Sequence, residues 1–360
     1  MRYGAPAMSS PLPQTAPRAF VAEMHPAYFA LVMATGIVSI ASQLLGFRWL
    51  ALSLVALNLV FYPSVWALTL LRIRRHPERV IEDLLHHGRS VGFFTTVPAT
   101  SVLGSQLFVV ANAARAAAVL WFVGVVLWTG LTYAVFTILM VKREKPALAD
   151  GIHGGWLVGV VAAQSVAVLG AQLAPSFAPY QPQTLFFCLA MWLGGSMLYF
   201  WIISLIFYRY TFFVLQPSDL APPYWINMGA AAITALAGSI LVGAAPHSPL
   251  LQQLLPFVRG FTLFWWATAT WWIPMLLILA IWRHVYRKFP LRYDPLYWGA
   301  VFPLGMYTVS TFRLSRALDA PYLEAIPRGF VYIALLAWGC ALFGMVRDLS
   351  RRATDSKSAT

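Results

Sequence analysis

The chain alternates between long apolar runs and short polar connections. Each run is close to the about 20 residues that a helix needs to cross the hydrocarbon core of a bilayer. The runs cover residues 26–46, 49–71, 90–111, 115–140, 153–173, 183–208, 224–244, 257–284, 295–315 and 328–347. The pattern predicts an all-α polytopic membrane protein with ten transmembrane helices.

The composition excludes most soluble folds. Apolar residues make up 60% of the 360 positions, charged residues only 10%, and the mean hydropathy is +0.70. A soluble domain carries about 25% charged residues because charge covers its surface. A surface that faces lipid needs no such cover.

The basic residues predict the orientation of the chain. The net charge is +13, but Lys and Arg form short clusters between the runs and no basic face, which disfavours nucleic acid as a partner. Of the 25 basic residues, 19 lie on one side of the predicted bilayer. The positive-inside rule then places both termini in the cytoplasm of a multi-pass cell-membrane protein. We predict a disordered cytoplasmic tail over residues 1–24, a transmembrane domain over 25–347 and a cytoplasmic tail over 348–360.

Odd-numbered and even-numbered runs differ in composition. Very short connections, such as residues 46–48 and 112–115, force neighbouring helices to be antiparallel and predict five hairpins. The odd runs are richer in small and polar residues, which either pack helices closely or line a path. We therefore predict an inner ring of odd helices around a central pore. Its candidate path-lining residues are Thr35, Gly36, Ser39, Thr96, Pro98, Ser101, Gln164, Asn227, Thr234 and Thr308.

Acidic residues are confined to tails, loops and the ends of the runs. A cation pump or a buried proton relay would place a carboxylate within the membrane, so this distribution disfavours both. The runs hold no carboxylate pair, no His/Cys cluster and no nucleophile motif, and Cys188 and Cys340 lie singly in apolar runs. We predict no enzyme activity, no cofactor and no metal site.

Three basic side chains are candidates for attracting anions. All odd helices begin on the cytoplasmic side, so five helix N-termini, each partly positive, converge near one mouth. His25 and His153 lie at these helix starts, and Arg313 lies at the far end of the ninth run, three residues before Arg316. Interfacial histidines and arginines that reach toward the lipid headgroups are the alternative explanation.

Three segments carry a resemblance to a known family. Residues 25–29 (HPAYF) with 32–36 (VMATG), residues 93–98 (FFTTVP) and residues 298–304 (WGAVFPL) resemble elements of the first, third and ninth helices of the tellurite-resistance/dicarboxylate transporter family. This family includes malate permeases, sulfite exporters and the slow anion channel of plant guard cells. The resemblance implies a homotrimer, a pore formed by the odd helices, and a pore-blocking ring at Phe302, directly before Pro303. The long phosphorylatable tails of the plant channels have no counterpart in this sequence.

The function predicted from these observations is an anion channel or permease in the lipid bilayer. It would move small anions or C4-dicarboxylates such as malate through a pore gated by Phe302. A proton-coupled exporter of sulfite or dicarboxylates and a tellurite-resistance transporter are the alternatives. A membrane-embedded enzyme is a more distant one.

Overall fold

The computed structural model describes residues 16–358, and within this range the chain forms helices and turns but no strand. Ten long helices follow one another. They are α1 (Ala30–Leu44), α2 (Arg48–Arg75), α3 (Thr96–Ala111), α4 (Ala114–Val141), α5 (Val158–Leu173), α6 (Gln181–Phe212), α7 (Ile226–Ala244), α8 (Leu255–Ile281), α9 (Trp298–Ala317) and α10 (Ala325–Ser358). Each overlaps one predicted run, so the prediction of an all-α polytopic fold is confirmed.

The odd helices are shorter than the even ones and begin differently. They have 15–20 residues, against 27–34 in the even helices. A 3₁₀ turn leads into each odd helix, at Pro26–Phe29, Val91–Thr95, Gly154–Leu157, Pro222–Trp225 and Pro295–Tyr297. The sequence signal for these turns is the Pro or Gly that stands at or near the start of each. The turns bring five sets of N-terminal N–H groups to one end of the molecule.

The ten helices form two concentric rings. α1 contacts α3, α3 contacts α5, α5 contacts α7, α7 contacts α9, and α9 returns to α1. Every even helix packs against the odd helix before it and against the next odd helix, with α10 returning to α1. Between 78% and 94% of the apolar stretches that contain α1, α3, α5 and α7 is buried, against 17–44% for the even helices. The predicted inner ring of odd helices is confirmed.

Helix α9 is the least apolar member of the inner ring. Nine helices in residues 16–358 are long and apolar enough to cross a membrane by length and composition, and α9 is not among them. It has 20 residues but carries Arg313 and Arg316 in its last turns. Because α1, α7, α8 and α10 enclose it, α9 does not need an apolar surface.

Two glycines allow α9 to approach its neighbours closely. A Cβ at Gly229 of α7 would lie 2.7 Å from Cγ of Pro303, and a Cβ at Gly305 of α9 would lie 2.8 Å from Cγ2 of Ile37 in α1. Such distances are shorter than any ordinary carbon contact. Helix α9 is therefore held between α7 and α1 by contacts that only glycine permits.

Both predicted tails contain helical residues. Residues 1–15 lie outside the described part of the chain, but Ala16–Glu23 is a helix, and the nearby apolar side chains of Val21 and Met24 are buried. At the other end α10 continues to Ser358, because residues 348–358 contain no Pro or Gly that would end it. Residues 16–23 of the predicted N-terminal tail, which was expected to be disordered, and residues 348–358 of the predicted C-terminal tail are thus helical.

Candidate functional site

A cavity of about 360 Å³ lies at the end of the ring where the odd helices begin. We call it the near cavity. All five odd helices or their leading turns contribute to its lining, through residues such as His25, Thr95, His153, Pro223 and Gly299. The predicted convergence of five helix N-termini at one mouth is therefore present in the structure.

Histidine side chains cap two of these helix starts. Nδ1 of His25 accepts a hydrogen bond from the N–H of Ala27 at 3.1 Å, and Nδ1 of His153 accepts one from the N–H of Gly155 at 3.1 Å. Nε2 of His153 lies 3.1 Å from the carbonyl oxygen of Gly88 and donates to it, because Nδ1 already serves as acceptor. Both imidazoles are therefore neutral, since a charged ring has no acceptor nitrogen.

The surroundings of both histidines favour the neutral form. Burial lowers the pKa of His25 to about 4, with a further lowering by Arg89 that Asp83 opposes. Burial also lowers the pKa of His153, while its hydrogen bond to the Gly88 carbonyl acts in the other direction. At neutral pH the two histidines thus contribute no positive charge to the near cavity, whereas the helix N-termini contribute partial positive charge.

The charged residues at the near cavity are Arg209, Asp219 and Asp150. Arg209 is 8% exposed, and its guanidinium pairs with the Asp219 carboxylate at 3.3 Å. Asp150 is exposed at the rim. Both carboxylates come from loops, so their arrival at the end of the ring could not be predicted from the apolar runs.

Buried arginines fix the starts of three odd helices. Arg72 at the end of α2 donates to the Ala22 carbonyl at 3.2 Å, Arg209 near the end of α6 donates to the Ala149 carbonyl, and Arg283 just after α8 donates to the Leu220 carbonyl. Each carbonyl lies two to five residues before the 3₁₀ turn of the same hairpin. In each of these three hairpins, the arginine therefore connects the end of the even helix to the segment that precedes the odd helix.

One of these arginines belongs to a buried charge cluster. The Arg72 guanidinium lies 2.8 Å from a carboxylate oxygen of Asp83, and Arg89 binds both oxygens of the same carboxylate. Asp83 and Arg72 are 6% and 4% exposed. A buried carboxylate shared by two guanidinium groups is fully paired, so the cluster holds the loops before α1 and α3 together.

A second, much smaller cavity lies farther along the same axis. We call it the far cavity; its volume is about 20 Å³, and all five odd helices line it. Its polar lining residues are Ser101, Ser105, Ser165, Gln172 and Arg313. A cavity of this size holds about one water molecule.

Helical spacing places five residues without polar side chains, called the apolar ring, between the two cavities. Residues three or four apart share one face of a helix, so the face of α9 that carries Gly299 in the near cavity and Met306, Val309 and Arg313 in the far cavity also carries Phe302. The same spacing identifies one residue on each inner helix at this level. They are Met33, Pro98, Val161, Gly229 and Phe302, and all five are buried.

Most of the predicted path-lining residues lie in helix contacts outside the two cavities. Trp338 of α10 donates to the hydroxyl of Thr35 at 3.1 Å, the hydroxyl of Ser39 donates to Ala51 of α2 at 2.8 Å, and Gln164 donates to the Trp192 carbonyl of α6 at 3.0 Å.

The remaining hydroxyls bond within or next to their own helix. Thr96, Thr234 and Thr308 each donate to a backbone carbonyl three or four residues earlier. Gly36 packs against Val102, and Asn227 accepts a hydrogen bond from Tyr199 through its backbone carbonyl. Of the ten candidates, Ser101 lines a cavity and Pro98 belongs to the apolar ring. His25 and His153 line the near cavity and Arg313 lines the far cavity, while their role in attracting anions stays a prediction.

Several cavity residues were not predicted. Their common signal is spacing along the inner face of a helix: Ser105 stands four residues after Ser101, and Gln172 seven residues after Ser165. Composition alone does not reveal this face, because hydroxyl groups occur all around the odd helices. Thr95, Arg209 and Asp219 were missed because they lie before a helix, at the end of an even helix and in a loop.

The neutral histidines predict a pH dependence of stability. When the pH falls below the ordinary histidine pKa of about 6.5, the unfolded chain takes up protons at His25 and His153 that the folded chain does not bind. Stability is then lost progressively as the pH falls from about 6.5 toward the lowered pKa of about 4 for His25. Thermal unfolding in detergent, followed between pH 8 and pH 5, measures this loss.

The matched variant is His25→Asn, which keeps an acceptor for the N–H of Ala27 but cannot bind a proton in this range. We expect a smaller loss of melting temperature between pH 6.5 and 5 in the variant than in the parent protein. Equal losses of melting temperature in the two proteins would show that His25 does not contribute to the pH dependence of stability.

Comparison with known proteins gives a family and several relatives. The model of the family described as voltage-dependent anion channel matches residues 23–346. An uncharacterized transporter of Methanocaldococcus jannaschii is 24% identical over 327 residues, which cover 89% of this chain and 93% of the relative. A sulfite efflux pump of Trichophyton rubrum is 24% identical over 345 residues, 88% of each chain. An uncharacterized membrane protein of Mycobacterium tuberculosis is 40% identical over 153 residues, 42% of this chain and 77% of that protein.

Proposed function

The chain belongs to the voltage-dependent anion channel family, and on that premise we propose that it moves small anions across a membrane along the axis of its inner ring. One observation carries this proposal. Two cavities are lined by all five odd helices or their leading turns, and the residues that helical spacing places between them, one on each odd helix, carry no polar side chain. Such an arrangement is a path closed at one level.

The lining of the path favours anions. Five helix N-termini, each with the positive end of its dipole, converge at the near cavity, and Arg313 lines the far cavity. No carboxylate lines the far cavity. The two carboxylates of the near cavity lie at its loops, where Arg209 pairs with one of them.

We propose Phe302 as the gate. Its ring is 1% exposed, it is the one aromatic residue among the five of the apolar ring, and Pro303 follows it. Proline removes one backbone hydrogen bond and bends the helix, while the missing side chain of Gly229 makes room for the proline ring. A hydrophobic constriction of this kind closes a path by excluding water.

The proposed orientation places the near cavity in contact with the cytoplasm. The basis is the distribution of basic residues, 19 of 25 of which lie on the side where the odd helices begin. Both chain ends then lie in the cytoplasm, and the far cavity faces the outside of the cell membrane. The homotrimer implied by the family resemblance stays a prediction.

A proton-coupled exporter is the second candidate function. The sequence offered no carboxylate within the membrane, but Asp150, Asp219, His25 and His153 line the near cavity together. Groups that exchange protons therefore lie where a permeating anion would enter. Proton coupling predicts that transport depends on a proton gradient, whereas a simple channel does not require one.

The experiment is anion flux in liposomes that contain the purified protein. We expect flux of sulfite, nitrate or chloride, and slower flux of malate because the narrow part of the path is small. A proton-coupled exporter would also acidify or alkalinise the lumen in step with the anion, and a channel would not. Liposomes that show no protein-dependent flux of any of the four anions would contradict the proposed function.

A further inference from the structure

The far cavity contains a cation without a counterion. Arg313 lines the cavity and is only partly exposed, yet within residues 16–358 it forms neither a hydrogen bond nor an ion pair. Arg316, three residues farther along α9, differs from Arg313 in its exposure and in its pairing. Its side chain is 66% exposed and pairs with Glu324 at 3.1 Å. The two arginines that the sequence places on one helix face therefore have different surroundings.

An unpaired guanidinium in such a position is costly. Moving a charged group out of water without pairing it destabilises the folded protein, and the free energy of one hydrogen bond does not offset this loss. Arg313 keeps part of its surface exposed, but no carboxylate is among the residues that line the far cavity with it. A bound anion would supply the missing charge.

Two polar side chains of the same cavity also lack partners. The hydroxyl oxygen of Ser101, whose residue is 1% exposed, and Oε1 of Gln172 are both buried without a hydrogen bond. A hydroxyl rotates freely to donate, and a half turn of the glutamine amide exchanges its oxygen for its N–H donors. Together with Arg313 these groups offer several donors on three different helices, α3, α5 and α9.

We propose that Arg313, Gln172 and Ser101 form a binding site for one small inorganic oxyanion on the outer side of the apolar ring. The guanidinium presents two parallel N–H groups that match two oxygens of such an ion. The cavity of about 20 Å³ holds about one water molecule, so a small oxyanion needs side-chain movement to enter, and a C4-dicarboxylate needs a larger one. This inference rests on the proposed function and narrows its substrate class.

Binding is measured without transport, on the full chain purified in detergent. Sulfite, nitrate or malate is titrated at constant ionic strength, with gluconate as the balancing anion, and the melting temperature is recorded. A ligand that binds only the folded protein raises its stability with concentration. We expect sulfite and nitrate to raise the melting temperature and malate to have little effect at equal concentration.

The variants assign the binding to the far cavity. Arg313→Gln should weaken sulfite binding about ten- to a hundredfold, as expected for the loss of hydrogen bonds from a charged donor. Arg313→Lys, which keeps the charge but loses the paired N–H groups, should lie between Arg313→Gln and the parent. Arg316→Gln is the matched control, because Arg316 is exposed and paired with Glu324, and it should bind like the parent.

A second variant keeps the proposal testable if Arg313→Gln does not fold. Gln172→Leu retains every charge of the cavity, and it should weaken sulfite binding without changing the melting temperature measured in gluconate alone. Unchanged sulfite binding in Arg313→Gln, or in Gln172→Leu should the former not fold, would overturn the site. Malate stabilisation equal to that of sulfite would overturn the proposed ligand class.

The binding test separates this site from the proposed function. Sulfite binding that depends on Arg313 in a protein without anion flux would support the site and contradict the function. If Arg313→Gln conducts sulfite with the same apparent affinity as the parent, the result would contradict the site but not the proposed function.

Discussion

Replacing Phe302 by alanine should raise the anion flux through this protein. The ring of Phe302 is buried at the level that lies between the two cavities, so in the proposed path its removal should widen this level and let water enter. A barrier that falls by about 1.4 kcal/mol raises the rate about tenfold, and we expect an increase of at least this order. Current recordings or liposome flux with chloride or nitrate measure the change. Phe302→Leu, which removes less of the constriction, should have a smaller effect.

The alternative for Phe302 is a packing role in the core. A buried Phe replaced by Ala typically destabilises a protein by about 3–5 kcal/mol. Conductance and melting temperature are therefore measured on the same purified variant. Lower stability without added conductance would make Phe302 a core residue and would remove the gate from this account.

Phe94 supplies a matched control for that experiment. It is as deeply buried as Phe302, but its ring packs against Phe136 of the outer helix α4, with ring centres 5.5 Å apart. Phe94→Ala should lower stability without raising the flux. An equal rise in flux in both variants would indicate a general loosening of the inner ring.

The architecture could be predicted because its causes are local in the sequence. Run length fixes the number of helices, short connections fix their antiparallel pairing, and the high content of small residues in the odd runs fixes the inner ring. Gly229 and Gly305 show why small residues indicate the inner ring, since each lies where α9 contacts another inner helix. The 3₁₀ turns before the odd helices were not predicted, although a Pro or Gly lies at or near each.

The lining of the proposed path was harder to predict for a physical reason. A serine or threonine in a helix satisfies its hydroxyl by bonding to a carbonyl three or four residues earlier, so it does not need to face water. Thr234 and Thr308 do this, and the hydroxyl of Thr35 accepts a hydrogen bond from Trp338 of the outer ring. A polar residue in an inner helix is therefore no guide to the path. The cavities are identified instead by the three- and four-residue spacing of one helix face.

The loops contribute chemistry that the runs could not show. Asp219 and Asp150 are far in sequence from His25, yet all three line the near cavity because the loops fold over the ends of the odd helices. Asp83 likewise meets Arg72 and Arg89 only in the folded chain. Hydrophobic patterning contains no information about such loop contacts.

A pair of neighbouring residues on α9 tests the position of the path. Val309 lines the far cavity on the same helix face as Phe302, whereas Thr308 bonds to the Leu304 carbonyl and lines neither cavity. Their side chains have similar size, and the residues are 2% and 1% exposed. A cysteine at Val309 should therefore face the permeating ion, and a cysteine at Thr308 should face a neighbouring helix.

The most direct test of the central claim is the block of anion current by a small, negatively charged methanethiosulfonate reagent added from outside. Val309→Cys and Thr308→Cys are compared in a Phe302→Ala background in which Cys188 and Cys340 are replaced by alanine. Modification at position 309 adds bulk and negative charge to the path, so we expect it to abolish most of the current, while the 308 variant keeps its current. Equal block of both variants, or a modified Val309→Cys protein that conducts as before, would contradict a path along the axis of the inner ring.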